Sequence, residues 1–178
     1  MPIYARNKGG NYVPAPEGLQ RAVCCDVVDL GVVKTNFGNQ EKVEIRWQSE
    51  EKMEDGKPYL IIKRYNPSLH PKANLRSDLE SWRGKKFTDD EAFEFDLEKL
   101  LYQNCQINIV HNKTESGTYG NVKSVVPAAK GVKPLKIEDY VRMCERPDWK
   151  PPKRETVDRH EEVPGNDPRE DDEGDIPF

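Results

Sequence analysis

The segment Asn74-Leu75-Arg76-Ser77-Asp78-Leu79-Glu80-Ser81-Trp82 decides the fold, because the hydrophobic pattern changes its period there. Its apolar residues Leu75, Leu79 and Trp82 fall at positions i, i+4 and i+7, which is one stripe of an amphipathic helix. Gly84 is placed to end that helix. On both sides the chain has the period of two that strands require. The sequence therefore predicts a helix inserted between two groups of strands.

Three strands are predicted before the helix. Residues 19–35 form a β-branched run that Gly31 interrupts, which indicates a long first strand with a bend or bulge. Residues 42–48 alternate strictly and predict a half-buried second strand. Its two faces are formed by Val43, Ile45 and Trp47 and by Lys42, Glu44 and Arg46. Residues 59–65 follow a turn signal and predict a third strand that pairs with the second.

A short helix and two more strands are predicted after the insert. Thr88-Asp89-Asp90-Glu91 matches a capping box, which opens a helix. Residues 105–110 and 119–126 predict two strands joined by a turn. Three strands, a helical insert and two strands give the order of an OB-fold, so we predict a mainly β, five-stranded OB-fold barrel. An SH3-like barrel is the main alternative, but it lacks the helical insert. Trp47 and Trp82 are expected to fill the core.

The composition of the chain divides it into four parts. Residues 1–17 are rich in Pro, Gly and Asn and predict an N-terminal arm. Residues 18–130 are the predicted OB-fold domain. Residues 131–150 are expected to hold one short amphipathic helix, from Leu135 to Cys144, and a linker. Residues 151–178 predict a disordered acidic tail.

The charge is distributed unevenly along the chain. Residues 155–178 contain ten acidic and two basic residues, a net charge of −8; because the whole chain carries −4, residues 1–154 carry +4. A basic body with an acidic tail suits a protein that binds a polyanion and whose tail competes for the same surface.

Aromatic and basic residues coincide on the predicted strands, as they do in proteins that bind single-stranded nucleic acids. Such proteins stack bases on aromatic rings inside a basic groove. Alternation places Tyr59, Ile61, Lys63 and Tyr65 on one face of the third strand, and Tyr119, Asn121 and Lys123 on one face of the fifth. The predicted contacts to single-stranded DNA are Lys34, Phe37, Arg46, Tyr59, Lys63, Arg64, Tyr65, Arg83, Lys85, Lys86, Tyr119 and Lys123.

The last residues of the sequence have the character of a docking peptide. Phe178 combines a ring with a carboxylate, which a partner can hold in an apolar pocket and with cationic groups, and Pro177 limits the unbound conformations. The predicted partner-binding residues are Asp171, Asp172, Glu173, Asp175, Ile176, Pro177 and Phe178. An ordinary solvated acidic tail is the alternative interpretation.

Two resemblances to known families add to this interpretation. The ending resembles the acidic tip of bacterial single-stranded DNA-binding proteins, Asp-Asp-Asp-Ile-Pro-Phe, with Gly174 where that family has an acid. The resemblance implies docking of replication and repair enzymes. Residues 63–70, 75–84 and 86–88 resemble proteins of bacteriophages and mobile elements that are usually taken for replication or single-strand-binding proteins. That similarity covers about residues 18–127.

The sequence gives little indication of catalysis or of a bound cofactor. It has no P-loop, nucleophile elbow or HExxH motif, and its four cysteines lack CxxC spacing. No enzyme activity, cofactor or metal site is predicted. The thiols and the lack of a signal peptide or long apolar stretch predict a cytoplasmic protein without a membrane association, in the bacterial host if the chain is phage-encoded. Asp26 and Asp29 in the first strand remain unexplained.

The sequence therefore predicts a non-catalytic protein that coats single-stranded DNA during replication, recombination or repair and recruits partner enzymes through its acidic tip. A protein-interaction adaptor that docks host replication proteins without touching DNA is the alternative. An RNA or duplex binder differs from the first prediction only in substrate. A homo-oligomer is compatible with either function.

Overall fold

The computed structural model describes residues 13–152. Over this part of the chain the protein is mainly β, with five antiparallel strands in one sheet, which confirms that part of the fold prediction. The strands are β1 (Gly18–Thr35), β2 (Gly38–Lys52), β3 (Pro58–Tyr65), β4 (Asn104–Thr114) and β5 (Gly117–Pro127). The α-helices are α1 (Asn74–Arg83) and α2 (Asp89–Phe93), and there are 3₁₀ helices at Leu97–Leu100 and Met143–Glu145.

The strand order across the sheet is β3-β2-β1-β4-β5. β1 is central because its first residues pair with β4, where Gly18 lies opposite Ile109, while its later residues pair with β2 as far as Thr35. The edge strands β3 and β5 approach each other. No strand pairing joins them between residues 13 and 152, so the sheet is not closed there.

β1 is bent by two shifts in its pairing with β2. One lies between Cys24 and Asp26, and the other between Asp29 and Gly31. Gly31 has φ 62°, a left-handed conformation that glycine adopts without steric cost. The Asp29 carboxylate accepts a hydrogen bond from the Gly31 N–H at 2.8 Å and so fixes this bulge. The predicted irregularity at Gly31 is confirmed, and Asp29 has a structural role in it.

The core lies between one face of the sheet and α1. Leu75, Leu79 and Trp82 of α1 are buried there, which confirms the predicted helical stripe. The Trp82 ring centroid lies 6.0 Å from that of Trp47. Both tryptophans are buried, as predicted, and Trp82 Nε1 donates to the Asn104 carbonyl at 3.0 Å. α1 is thereby tied to β2 and β4.

α2 begins with the predicted capping box. The Thr88 hydroxyl accepts from the Glu91 N–H at 3.2 Å, and the Glu91 carboxylate accepts from the Thr88 N–H at 3.1 Å. These two bonds satisfy backbone donors that a helix start leaves without partners. The capping box therefore accounts for the pairing of Thr88 with Glu91.

Residues 135–143 form an extended strap across the outer face of the sheet, where the sequence predicted an amphipathic helix from Leu135 to Cys144. Only the 3₁₀ helix at its end is helical. Two side-chain amides hold the strap as a neighbouring strand would. Asn104 bonds the Leu135 N–H and C=O at 2.8 and 3.2 Å, and Gln48 bonds those of Glu138 at 2.8 and 2.6 Å.

Asp26 anchors the far end of the strap. This buried carboxylate accepts from the Tyr140 hydroxyl at 3.0 Å, from Arg142 Nε at 3.2 Å and from the Met143 N–H at 2.8 Å. Arg142 also forms a two-contact ion pair with Glu98. Asp26, which the sequence left unexplained, therefore attaches the strap to β1.

The described part of the predicted N-terminal arm packs against β4. Ala15 is buried, and its carbonyl accepts a hydrogen bond from His111 Nε2 at 2.6 Å. The Glu17 carboxylate accepts from the His111 N–H at 2.7 Å. Residues 13–17 therefore contact the sheet at β4, whereas residues 1–12 of the predicted arm lie outside the described residues.

Candidate functional site

A cavity of about 420 Å³ lies at the carboxyl end of β3, between β2 and the start of α1. Its basic lining residues are Lys42, Lys63, Arg64, His70 and Lys72, and no carboxylate is among the residues that line it. We call it the basic cavity. Lys63 and Arg64 were predicted as DNA contacts, and the structure brings them together with three further basic residues.

Several hydrogen bonds hold the basic residues at this cavity. Lys42 Nζ donates to the Asn66 side chain at 2.5 Å. Lys63 Nζ forms an ion pair with Asp78 of α1 at 2.6 Å. His70 Nδ1 accepts from the backbone N–H of Lys72 at 3.3 Å, so the ring helps to order the loop that carries both residues. These bonds therefore hold the basic residues around one opening.

Tyr65 lies beside the cavity but belongs to the core. Tyr65 is only 3% exposed to solvent, and its hydroxyl donates a hydrogen bond to the Asp78 carboxylate at 2.7 Å. Burial, then the charge of Asp78 and this hydrogen bond, raise the pKa of Tyr65 well above its usual value. A ring in this position does not offer a face to a base, which argues against the stacking role predicted for Tyr65.

The face of β3 that was predicted to bind DNA is its inner face. Ile61 and Tyr65 are buried, and Tyr59 packs against the core. Alternation was right about which side chains share a face, but Lys63 and Tyr65 meet Asp78 of α1 and so belong inside. The residues of β3 that face outward and are exposed are Leu60, Ile62 and Arg64.

A buried carboxylate organises the outer face of β2. Glu44 is 2% exposed and forms ion pairs with Arg46 at 2.5 Å and with Arg64 at 2.9 Å. Arg46 also donates to the Tyr140 hydroxyl of the strap at 3.3 Å. The polar face of this strand is therefore covered, not solvated, and the Arg46 side chain is only 13% exposed, against 63% for Arg64. Arg64 is the more accessible of these two arginines.

The turn between β1 and β2 presents two predicted residues to solvent. Lys34 is exposed, and Phe37 is 90% exposed at the tip. The Thr35 hydroxyl fixes this turn by donating to the Gly38 carbonyl at 2.8 Å and accepting from the Phe37 N–H at 3.2 Å. β2 leads from this tip to Lys42 in the basic cavity. A ring and an amine thus lie on the same hairpin as one wall of the cavity.

The predicted basic residues Arg83, Lys85 and Lys86 lie at the other end of α1, which ends at Arg83. Arg83 pairs with Glu91 at 2.9 Å and lies over the Phe87 ring, 4.2 Å from its centroid. Its guanidinium therefore packs two helices together. Lys85 and Lys86 are exposed. They are not brought to the basic cavity, which adjoins the start of α1.

The fifth strand carries the remaining predicted contacts. Tyr119 is 41% exposed, and its hydroxyl lies 3.0 Å from that of Ser116 in the β4–β5 turn. Lys123 is exposed at a shift in register where Ile109 pairs with Val122 and Asn108 pairs with Ser124. Tyr119, Asn121 and Lys123 are all exposed and alternate with less exposed residues, as predicted, and the alternation changes only after Lys123.

Sequence reasoning missed Lys42, His70 and Lys72. Lys42 was assigned to the polar face of the second strand, and the loop that carries the other two has no periodicity. Loops placed by a rigid scaffold often supply binding residues. The only signal available was the density of basic residues in Lys63, Arg64, His70 and Lys72 between a strand and a helix.

The predicted partner-binding residues, from Asp171 to Phe178, lie outside the described residues.

Among residues 13–152, no three His, Cys, Asp or Glu side chains are grouped so that they could hold a metal ion. Over the same residues, no helix has both the length and the apolar character needed to cross a membrane.

The sequence matches no protein-family model and no curated protein sequence.

Proposed function

We propose that the protein binds single-stranded DNA without strong sequence preference, has no catalytic activity, and recruits replication or repair enzymes through residues 171–178. The observation that carries the DNA-binding part is the basic cavity, where five basic residues line one opening that has no carboxylate in its lining. Clustered basic side chains supply the sequence-independent affinity for phosphates.

We infer an OB-fold for the described domain. The strand order has β1 shared between β2 and β4, as in an OB barrel, and the helical insert lies between β3 and β4. α1 packs against β5, and β3 approaches β5 at the point where such a barrel closes. An OB-fold is a partly open barrel, so the open edge between β3 and β5 is compatible with it.

In this proposal the strand follows the surface from the β1–β2 turn to the basic cavity. Phe37 offers a ring on which a base can stack, at about 1 to 3 kcal/mol for each stacked base. Lys34 is exposed three residues before Phe37, and Arg64 and the lysines of the cavity hold phosphates in this proposal. Stacking accepts any base, so binding of this kind is tolerant of sequence.

The test is a titration of labelled oligo-dT, followed by fluorescence anisotropy over a series of salt concentrations. We expect affinity to fall with salt, with a slope of about 0.7 for each phosphate contacted. Arg64→Gln should weaken binding and reduce that slope by about 0.7. Lys57→Gln is the matched control. Lys57 is exposed and comes just before β3, whereas the cavity lies at the opposite, carboxyl end of that strand.

Duplex DNA and RNA of equal length complete the experiment. Tight, salt-sensitive binding of oligo-dT over both competitors supports the proposal. Lack of oligo-dT binding at low salt, repeated on a chain that ends at residue 154, would contradict it. Equal effects of Arg64→Gln and Lys57→Gln would contradict the assignment to this surface.

A further inference from the structure

We propose that the basic cavity is a phosphate-binding site for a nucleotide-sized phosphate ester. The inference rests on the proposed function for its choice of nucleotides as the source of the phosphate. It goes further, because it assigns a discrete, concave site to one phosphate group, whereas coating of a strand needs only a basic surface.

The size of the cavity suits such a ligand. Its volume of about 420 Å³ lies within the range of roughly 300 to 1,000 Å³ that small-molecule sites occupy. A phosphate together with an attached sugar fits within that space. Elsewhere on the outer surface of β3, Leu60 and Ile62 are apolar and exposed, and they offer no charge to a phosphate.

The charge around the cavity favours an anion. Lys63 and Arg64 each pair with one carboxylate, Asp78 and Glu44, and neither acid lines the cavity. Lys42 donates to the neutral side-chain amide of Asn66, and this contact does not compensate its positive charge. A phosphate dianion accepts several such hydrogen bonds at once, and the fork of an arginine matches its oxygens.

The start of α1 adds to this field. Ala73 is the N-cap residue, no side chain caps the helix there, and its first turn contains no acidic residue. Ala73, Asn74 and Leu75 line the cavity, so the N-terminal end of this ten-residue helix borders the same space as the basic side chains. Helix N-termini favour negative charge and present N–H groups to phosphates.

The experiment is isothermal titration calorimetry of the full chain with thymidine 5′-monophosphate, thymidine and inorganic phosphate. We expect saturable binding of the monophosphate, at least about tenfold tighter than binding of thymidine, because each charge-assisted hydrogen bond contributes about a factor of ten. Lys42→Gln and Lys72→Gln should each weaken it by about tenfold. Lys57→Gln, which removes an exposed lysine outside the cavity lining, should leave it unchanged.

Oligo-dT with and without a 5′-phosphate identifies the source of the phosphate. Tighter binding of the 5′-phosphorylated strand assigns the cavity to a strand end. Equal binding of both strands, with competition by the monophosphate, assigns it to the phosphate backbone. Thermal unfolding of each variant establishes that the chain is folded.

The two proposals fail in different ways. Equal affinity for thymidine and its monophosphate, with oligo-dT still bound, overturns the phosphate site and leaves the DNA-binding proposal in place. Binding of the monophosphate without binding of oligo-dT supports the site and contradicts strand coating. Equal binding of an acidic peptide of matched charge overturns the assignment to phosphate.

Discussion

Asp26 shows how one side chain determines the path of a distant segment. Its two oxygens accept from three donors, namely the Tyr140 hydroxyl, Arg142 Nε and the Met143 N–H. In Asp26→Asn an amide NH₂ group replaces one carboxylate oxygen. This NH₂ group is itself a hydrogen-bond donor, so it cannot accept the bonds that the oxygen accepted. Because hydrogen bonds to charged groups contribute about 1.5 to 3 kcal/mol, we expect the free energy of unfolding to fall by about 2 kcal/mol.

Urea unfolding measures this difference, and Asp139→Asn is the matched control on the strap itself. Asp139 is exposed and has φ 43°, a left-handed conformation that asparagine tolerates. An exposed substitution of this kind changes stability by less than about 0.5 kcal/mol. If the two variants were equally stable, Asp26 would not be the anchor that its contacts indicate.

The strap as an element is expected to respond to alkaline pH through Tyr140. Burial, and after it the hydrogen bond to Asp26, raises the pKa of Tyr140 to about 12, against an ordinary value of 10. Above pH 10 the unfolded chain releases this proton while the folded chain keeps it. The contribution of Tyr140 to stability is therefore fully present below pH 10 and lost as the pH rises through 12.

Denaturant unfolding at a series of pH values from 8 upward measures this loss. The free energy of unfolding of the wild-type protein should fall more steeply above pH 10 than that of Tyr140→Phe, which cannot ionise at this position. Tyr102→Phe alters a tyrosine that is 69% exposed and should keep the wild-type slope. A Tyr140→Phe variant with the wild-type slope would exclude Tyr140 as the titrating group.

The elements that the sequence predicted are those whose stabilising contacts are local. The stripe of Leu75, Leu79 and Trp82 and the capping box of Thr88 and Glu91 each span fewer than ten residues. The strap was missed because its bonds join residues far apart in sequence, 90 positions for Gln48 and Glu138. A pattern with helical spacing formed no helix there, because the outer face of the sheet supplied partners for its backbone.

The candidate site was only partly predictable for a related reason. Alternation groups Tyr59, Lys63 and Tyr65 correctly, but it does not tell which face of a strand is inside when the side chains are amphipathic. Asp78 of α1 decides the question, since it accepts from both Lys63 and Tyr65. Arg64 was predicted and is exposed, whereas Lys42, His70 and Lys72 needed the fold to bring them together.

At the scale of the whole molecule, the basic cavity and the acidic residues near the end of the sequence carry opposite charges. Residues 1–154 have a net charge of +4 and residues 155–178 one of −8. Two such segments on one chain attract each other at low ionic strength. At 0.1 M salt the attraction is largely screened beyond the Debye length, which is about 10 Å. An acidic segment competes with DNA for the same cations whenever both can reach them.

A chain that ends at residue 154 is therefore expected to bind oligo-dT more tightly than the full chain, by about tenfold at low salt. The difference should shrink as salt is added, because screening weakens the competition before it abolishes binding. Anisotropy titrations of both chains at several salt concentrations measure it. A full-length variant distinguishes the effect of charge from the effect of chain length. In this variant the carboxylates are replaced by amides at Asp171, Asp172, Glu173 and Asp175. If it binds oligo-dT more tightly than the wild-type chain, the competition is due to charge. Equal affinities for all three chains at every salt concentration would contradict the competition, and the acidic residues would then have no effect on the proposed DNA-binding surface.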